Sequence, residues 1–312
     1  MNDISSGVCR NCGARLTGKF CQECGQKRFV ESDRRLGHLA HEFLATATDL
    51  DSRIWRTLRA LLFQPGLLSH EYMEGRRARW ISPISLFLAV CVIYFVAPLH
   101  GSDVSLQFNS QVTARIRQLA EAPDEKLSDA QRVSEGQAHS KFTSPLIDAR
   151  VRERDAKARA ESNGANAYSY RDYRLAYNAK ADDISKALVI LHMPFVALVL
   201  MLIFVRKHRY FAEHFVVALH FFAFTLLTLQ IVVQVSALWD FILPTAWALP
   251  DPALDWFMRI AICTYTVAAL RRAYGVGWGS AVAAATVMLA AVVAINIYIY
   301  RAIQFLVTFA LT

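Results

Sequence analysis

Four long apolar windows constrain this chain more than any other feature: residues 82–99, 184–205, 214–238 and 280–300. Crossing a hydrocarbon core takes about 20 helical residues, and each window approaches or exceeds that length. A fifth window, 256–270, is shorter and carries Arg259. Soluble helices of such length keep a polar face, and these have none. The expected fold class is therefore mostly α: a polytopic α-helical membrane protein with about five transmembrane helices. The overall 54% hydrophobic content exceeds the 45–50% of soluble domains and conceals a split. Residues 1–80 and 100–183 are richly charged, whereas 184–312 is nearly all apolar. No cleavable signal peptide is read at the N-terminus, because the first 30 residues are polar and Cys-rich.

Charge sets the expected topology. Residues 1–81 hold 13 Lys or Arg and end in Arg76, Arg77 and Arg79 beside the first window. Short flanks and loops rich in Lys and Arg stay cytoplasmic. "RKHRY" (206–210) and "RRAYG" (271–275) then fall on that same side, while 239–255 has three Asp and no Lys or Arg. Five crossings alternate without contradiction, N-terminus cytoplasmic and C-terminus periplasmic. The long segment 100–183 translocates regardless of its charge.

Six cysteines are present, four of them as Cys9-x2-Cys12-x8-Cys21-x2-Cys24. On a reducing side of a membrane these stay thiols. Four thiolates in two Cys-x-x-Cys pairs suit tetrahedral Zn²⁺. Gly13 and Gly25 follow the pairs and allow the backbone to curl, so that amides point at sulfur. With four ligands and no fifth candidate, the expected zinc site is closed and structural, a small ribbon in which Phe20 can cover the metal. A redox dithiol pair or an iron–sulfur cluster are the rival chemistries. Cys91 and Cys263 read as packing residues within spans.

Between the cysteines and the first window, Leu36, Leu39, Phe43 and Leu44 recur at helical spacing. A second helix follows Asp51 or Ser52, with Ile54, Trp55, Leu58, Leu61 and Leu62 on one face and Arg53, Arg56 and Arg59 more to the other. Pro65-Gly66 breaks it, and a third runs from Leu67 to Arg79. These amphipathic helices either lie in the headgroup plane or form a small bundle docked on the membrane domain. His38 and His41 have no third ligand nearby and read as solvated. The expected organisation is a zinc ribbon (1–30), cytoplasmic juxtamembrane helices (31–81), a first span (82–99), a periplasmic helical and polar loop (100–183) and spans two to five (184–312).

"CRNCG…FCQECGQ", "LDSRIWRTLRALLFQPGLLSHEYMEGRRARWISPISLFL" and "YFAEHFVVALHFFAF" together resemble a widespread bacterial family of unknown function. Its members join an N-terminal zinc ribbon to several transmembrane helices. The resemblance implies a bacterial inner-membrane location and no established activity. It also departs at one position, because the family pattern has a histidine where Phe222 stands.

Polar groups inside a membrane are costly and are default functional candidates. His192 and His220 fall near mid-depth of their windows and could face each other across a helix pair. Glu213 and His214 sit at the inner mouth, and Gln230, Gln234, Arg259 and Asn296 add polarity. Pro194 is expected to kink the second span. No Ser-His-Asp order, P-loop, dinucleotide fingerprint or His-Glu-x-x-His appears, so no catalytic residue is named. The leading expectation is a membrane-anchored adaptor whose ribbon binds a cytosolic protein. A transporter using His192, Glu213, His214 and His220 is the alternative. Beyond the lipid bilayer and that protein partner, nucleic acid is not expected, since the basic flanks already have a topological cause.

Overall fold

A computed structural model describes residues 7–28, 53–96, 140–163, 167–242 and 251–312. The expected helix around Leu36–Leu44, with His38 and His41, and residues 100–139 lie outside them. The described chain is mostly helical and contains no strands. The helices are α1 (Arg53–Phe63), α2 (Leu67–Met73), α3 (Pro83–Val96), α4 (Ser140–Glu161), α5 (Tyr170–Leu188), α6 (His192–Ile203), α7 (Phe211–Ile242), α8 (Asp251–Tyr274), α9 (Trp278–Ala294) and α10 (Arg301–Leu311). Short 3₁₀ turns at Val189–Leu191 and Val205–Lys207 flank α6, and a π-helical turn at Ile295–Tyr300 joins α9 to α10. The chain divides into two compact units, one of residues 1–102 and 193–291, the other of 103–192 and 292–312.

Among the described residues, three helices are long and apolar enough to cross a membrane: Phe211–Trp239, Ala253–Tyr274 and the continuous Trp278–Leu311. Two shorter apolar helices, Pro83–Tyr94 and His192–Ile203, account for the remaining windows. α7 is the central helix of the first unit, with 72% of its most apolar stretch buried. α3 packs along it, α8 beside it, α1 and α2 also rest on it, and α2 meets α8. The α8 stretch is only 17% buried, and Trp256, Phe257 and Ile260 are exposed. Apolar surface of this extent needs a cover other than water.

Local chemistry explains the helix starts. Ser82 caps α3, its Oγ accepting the Ser85 amide at 3.2 Å, and Pro83 takes the first helical position where a missing N–H costs nothing. The Glu213 carboxylate reaches back to the Tyr210 amide at 3.0 Å, the acidic half of a capping box at the α7 N-terminus. At α5, Ser169 and Asp172 cap each other's amides at 3.3 and 2.9 Å. Gly66, with φ +74°, makes the break between α1 and α2. A Cβ there would overlap the Ala269 carbonyl and lie 2.9 Å from the Ala269 Cα, so α2 meets α8 backbone to backbone. Asp255 pairs with Arg259 one turn on at 2.8 Å, which accounts for the arginine in the weakest window.

Several expectations change. The apolar window at 184–205 belongs to two helices, since α5 ends at Leu188 and a 3₁₀ turn intervenes before His192. Pro194 consequently sits in the first turn of α6, where proline is tolerated, and does not kink a span. In α1 the buried face is Thr57, Leu58, Ala60 and Leu61, whereas Trp55 is 79% exposed beside Arg56 and Arg59. α2 stops at Met73, and Gly75 at φ +79° turns the chain.

The second unit has its own core of Ile147, Val151, Tyr173 and Phe305, surrounded by Tyr168, Tyr170, Tyr177 and Phe309. It joins α4 and α5 to α10, and Arg150 lies over the Phe309 ring at 4.5 Å. The tyrosines of the charged segment thus pack on the end of the chain.

Candidate metal centre and the buried histidines

The segment Gly7–Arg28 is a repeat with a 12-residue offset. Cys9 N donates to Ala14 O and Gly13 N to Cys9 O, and Cys21 N donates to Gln26 O and Gly25 N to Cys21 O, all at 2.7–2.9 Å. Isolated bridges Val8–Arg15 and Phe20–Lys27 close the two loops in place of a hairpin. Gly13 (φ +79°) and Gly25 (φ +71°) adopt the left-handed conformation that lets each loop curl round its sulfurs.

This backbone brings all four Sγ atoms within 4.8 Å of one another. Cys9 and Cys24 are 3.6 Å apart, and Cys12 and Cys21 3.5 Å. A tetrahedron with Zn–S of about 2.3 Å has edges of about 3.8 Å, so the donor set fits such an ion. The Ala14 amide bonds to Cys12 and lowers its pKa, but burial and the thiols of Cys21, Cys24 and Cys9 outweigh it and push Cys12 up to about 12. Burial raises Cys24, while the Gln26 amide, the Asn11 side chain and the thiols of Cys12 and Cys9 lower it further, to about 7. Amides two residues after the second cysteine of each pair thus point at sulfur. Phe20 is 59% exposed and does not cover the cluster.

Gln26, directly after the second loop, is buried against the turn that follows α2. Its Nε2 donates to Gly75 O at 2.6 Å, and its Oε1 accepts the Arg77 and Ala78 amides, both at 3.1 Å. From the other side Arg53 Nη1 donates to Ala78 O at 2.9 Å, and the Ile81 amide donates to Thr57 Oγ1 at 3.4 Å. One amide side chain therefore fastens the cysteine module to the turn between α2 and α3.

His214 and His220, both on α7, are buried and have separate partners. His220 Nδ1 meets Ser69 Oγ of α2 at 2.8 Å. His214 Nδ1 meets the Tyr274 hydroxyl at the end of α8 at 2.7 Å, and Tyr274 stacks on Phe204 at 3.8 Å between centroids. Six residues apart, the two histidines point about 120° apart around α7. His192 belongs to the second unit, where Nε2 lies 3.4 Å from Asn296 Nδ2 and the ring 4.5 Å from that of Tyr300. Each of the three histidines thus has its own contact within its own unit. Glu213 is 2% exposed, caps α7 and pairs with Arg209 at 3.7 Å. Gln230 is buried with neither amide atom hydrogen-bonded among the described residues.

Sequence reasoning did not single out Gln26, Ser69 or Tyr274. For Gln26 the only local signal was its place at the end of the Cys-Gly loop. For Gly66 the signal was the Pro-Gly pair.

A family model described as "Protein of unknown function (DUF3667)" matches residues 51–95, the stretch that builds α1, α2, the latched turn and most of α3. No curated protein and no solved structure matches the chain.

Proposed function

We propose that the chain is a membrane-anchored adaptor: a zinc ribbon held on the cytoplasmic face of a five-pass bacterial inner-membrane protein, where it docks a cytosolic protein. The observation that carries this reading is the Gln26 latch. A metal-binding module fixed by three hydrogen bonds to a juxtamembrane turn is a positioned platform, not a tethered tag. Its outer surface offers exposed Phe20 and Val8 beside Lys19 and Arg15. The separate interhelical partners of His192, His214 and His220 support packing roles over a transport pathway.

Five crossings are supported by parity. α5 and α10 pack together in one unit, so the chain between them crosses the membrane an even number of times. Four apolar helices, α6 to α9, lie between. α6 alone is short, but with its 3₁₀ turns residues 189–207 cover about 30 Å, the thickness of a hydrocarbon core. Orientation is supported by the clustering of basic segments at one end of the first unit. Arg209 lies 4.0 Å from Glu74, and Gly66 abuts Ala269 just before Arg271 and Arg272. That end is cytoplasmic by the positive-inside rule.

The test is affinity purification of the full chain in mild detergent, comparing wild type with Phe20→Ala and Cys21→Ser. The adaptor reading expects one cytosolic protein recovered in stoichiometric amount with wild type and lost from both variants, with membrane insertion intact. Equal recovery from all three rejects it.

A further inference from the structure

Two rungs fix the register of α7 on α8 within the first unit. His214 meets Tyr274 at 2.7 Å, and ten residues on Phe224 stacks on Tyr265, with ring centroids 3.5 Å apart. The α1–α2 pair is set between these rungs. Gly66 abuts Ala269, five residues before Tyr274, and Ser69 meets His220, six residues after His214. At 1.5 Å per residue both contacts lie about 8–9 Å from the His214–Tyr274 rung, within the length of two helices apolar enough to cross a membrane. Near the end of α1, Leu61 shares a cavity wall with Val217, Phe221 and Tyr265. At its other end α1 is tied to the residues before α3, with Arg53 donating to Ala78 O and Thr57 accepting the Ile81 amide. α1 is thus held against the apolar helices, a short way in from their ends.

The face that α1 turns away from these helices suits neither water nor hydrocarbon. At 100° per residue, Trp55, Arg56, Arg59 and Phe63 fall within about 100° of arc, opposite the buried Thr57, Leu58, Ala60 and Leu61. All four are exposed, Trp55 by 79% and Phe63 by 75%. α1 holds no Asp or Glu, and among the described residues neither Arg56 nor Arg59 has an ion pair. Exposed Arg79 adds a third positive charge next to Ala78, to which Arg53 is bonded. Guanidiniums exclude the acyl interior, and two large bare rings are poorly placed in water. The headgroup layer accepts both, because aromatic rings settle at the interface while arginine forks bond phosphate. We propose that the outer face of α1 is a membrane-interface anchor that binds anionic phospholipid, with Arg56 and Arg59 on the phosphates and Trp55 and Phe63 beneath them. The proposal rests on the reading of α7 and α8 as membrane-crossing and stands whether or not the ribbon is an adaptor.

The experiment uses the full chain, purified with its metal and placed in nanodiscs of phosphatidylcholine and phosphatidylglycerol whose acyl chains are brominated near the headgroup. Bromine quenches tryptophan on contact, and the difference between wild type and Trp55→Phe isolates Trp55. Native mass spectrometry in mild detergent then compares phosphatidylglycerol with phosphatidylcholine on wild type and on the Arg56→Gln, Arg59→Gln double variant. The three side chains are exposed, and unchanged metal content and melting temperature will show that both variants fold. Trp55 should be quenched, wild type should prefer phosphatidylglycerol, and the double variant should lose about fivefold of that preference per arginine. An unquenched Trp55 beside quenching of the remaining tryptophans, exposed Trp256 of α8 among them, overturns the proposal and turns this face to the cytosol, where a protein would cover it. A wild type without preference, or a double variant that binds both lipids as wild type does, overturns it as well. If no tryptophan is quenched, the membrane reading itself falls and the proposal with it.

Discussion

Replacing Gln26 by alanine should release the cysteine module from the turn between α2 and α3 without dismantling its metal loop. The side chain makes three hydrogen bonds, at 2.6, 3.1 and 3.1 Å, in a buried position. A net contribution of about 1 kcal/mol each gives about 3 kcal/mol for the latch. That corresponds to roughly a hundredfold change in the docked-to-undocked ratio. The metal loop uses the Gln26 backbone, whose carbonyl accepts the Cys21 amide at 2.8 Å, and alanine preserves it. Hydrogen exchange on the full chain in detergent reads the effect directly. The Arg77 and Ala78 amides lose their acceptor and should exchange about a hundredfold faster, while metal content stays at the wild-type level. Gln26→Glu keeps an acceptor for both amides and loses only the bond to Gly75 O, so exchange there should rise less than in Gln26→Ala. Unchanged exchange at both amides in Gln26→Ala would refute the latch.

Three further outcomes are expected. Gly66→Ala should lower the melting temperature in detergent, since a left-handed φ costs an L-residue about 1–2 kcal/mol and the new Cβ displaces α2 from Ala269; an unchanged melt contradicts the backbone contact. Ser69→Ala should cost about 1–3 kcal/mol by stranding the buried imidazole, and a double-mutant cycle with His220→Ala should be non-additive; additivity would dissolve the pair. Zinc affinity should rise with pH and fall with acid, measured by chelator competition from pH 6.5 to 8.5. The sign follows from the protons released on binding: Cys12, raised to about 12, holds its proton throughout this range until metal displaces it, and Cys24, lowered to about 7, gains one as pH falls through 7. A pH-independent affinity would mean that these sulfurs are not the ligands.

How much of this was readable in advance depended on the range of each interaction. The cysteine loops were legible because ligand spacing and the two glycines act within five residues. The apolar window beginning at residue 82 matched the start of α3 at Pro83, where the Ser82 cap acts within three residues. The α5–α6 break was hidden, since Ile184 and Leu188 continue the apolar run that α6 resumes and a 3₁₀ turn has no composition of its own. Trp55 was placed on the apolar face of α1 and lies exposed beside the residues that pack, because periodicity gives a stripe but not its edge. The partners of the histidines were not legible. Sequence fixes depth along a helix, whereas the partner of His220 lies 151 residues earlier, on a seven-residue helix. Gln26 likewise acts across 49 residues to Gly75.

The central claim is that Cys9, Cys12, Cys21 and Cys24 clasp one metal ion in a module fastened to the turn between α2 and α3. Its most direct test is native mass spectrometry of the full chain with thiol labelling before and after chelation. One zinc per chain, with these four thiols protected until chelator is added, is the expected result. A metal-free chain carrying disulfides among the four would contradict it.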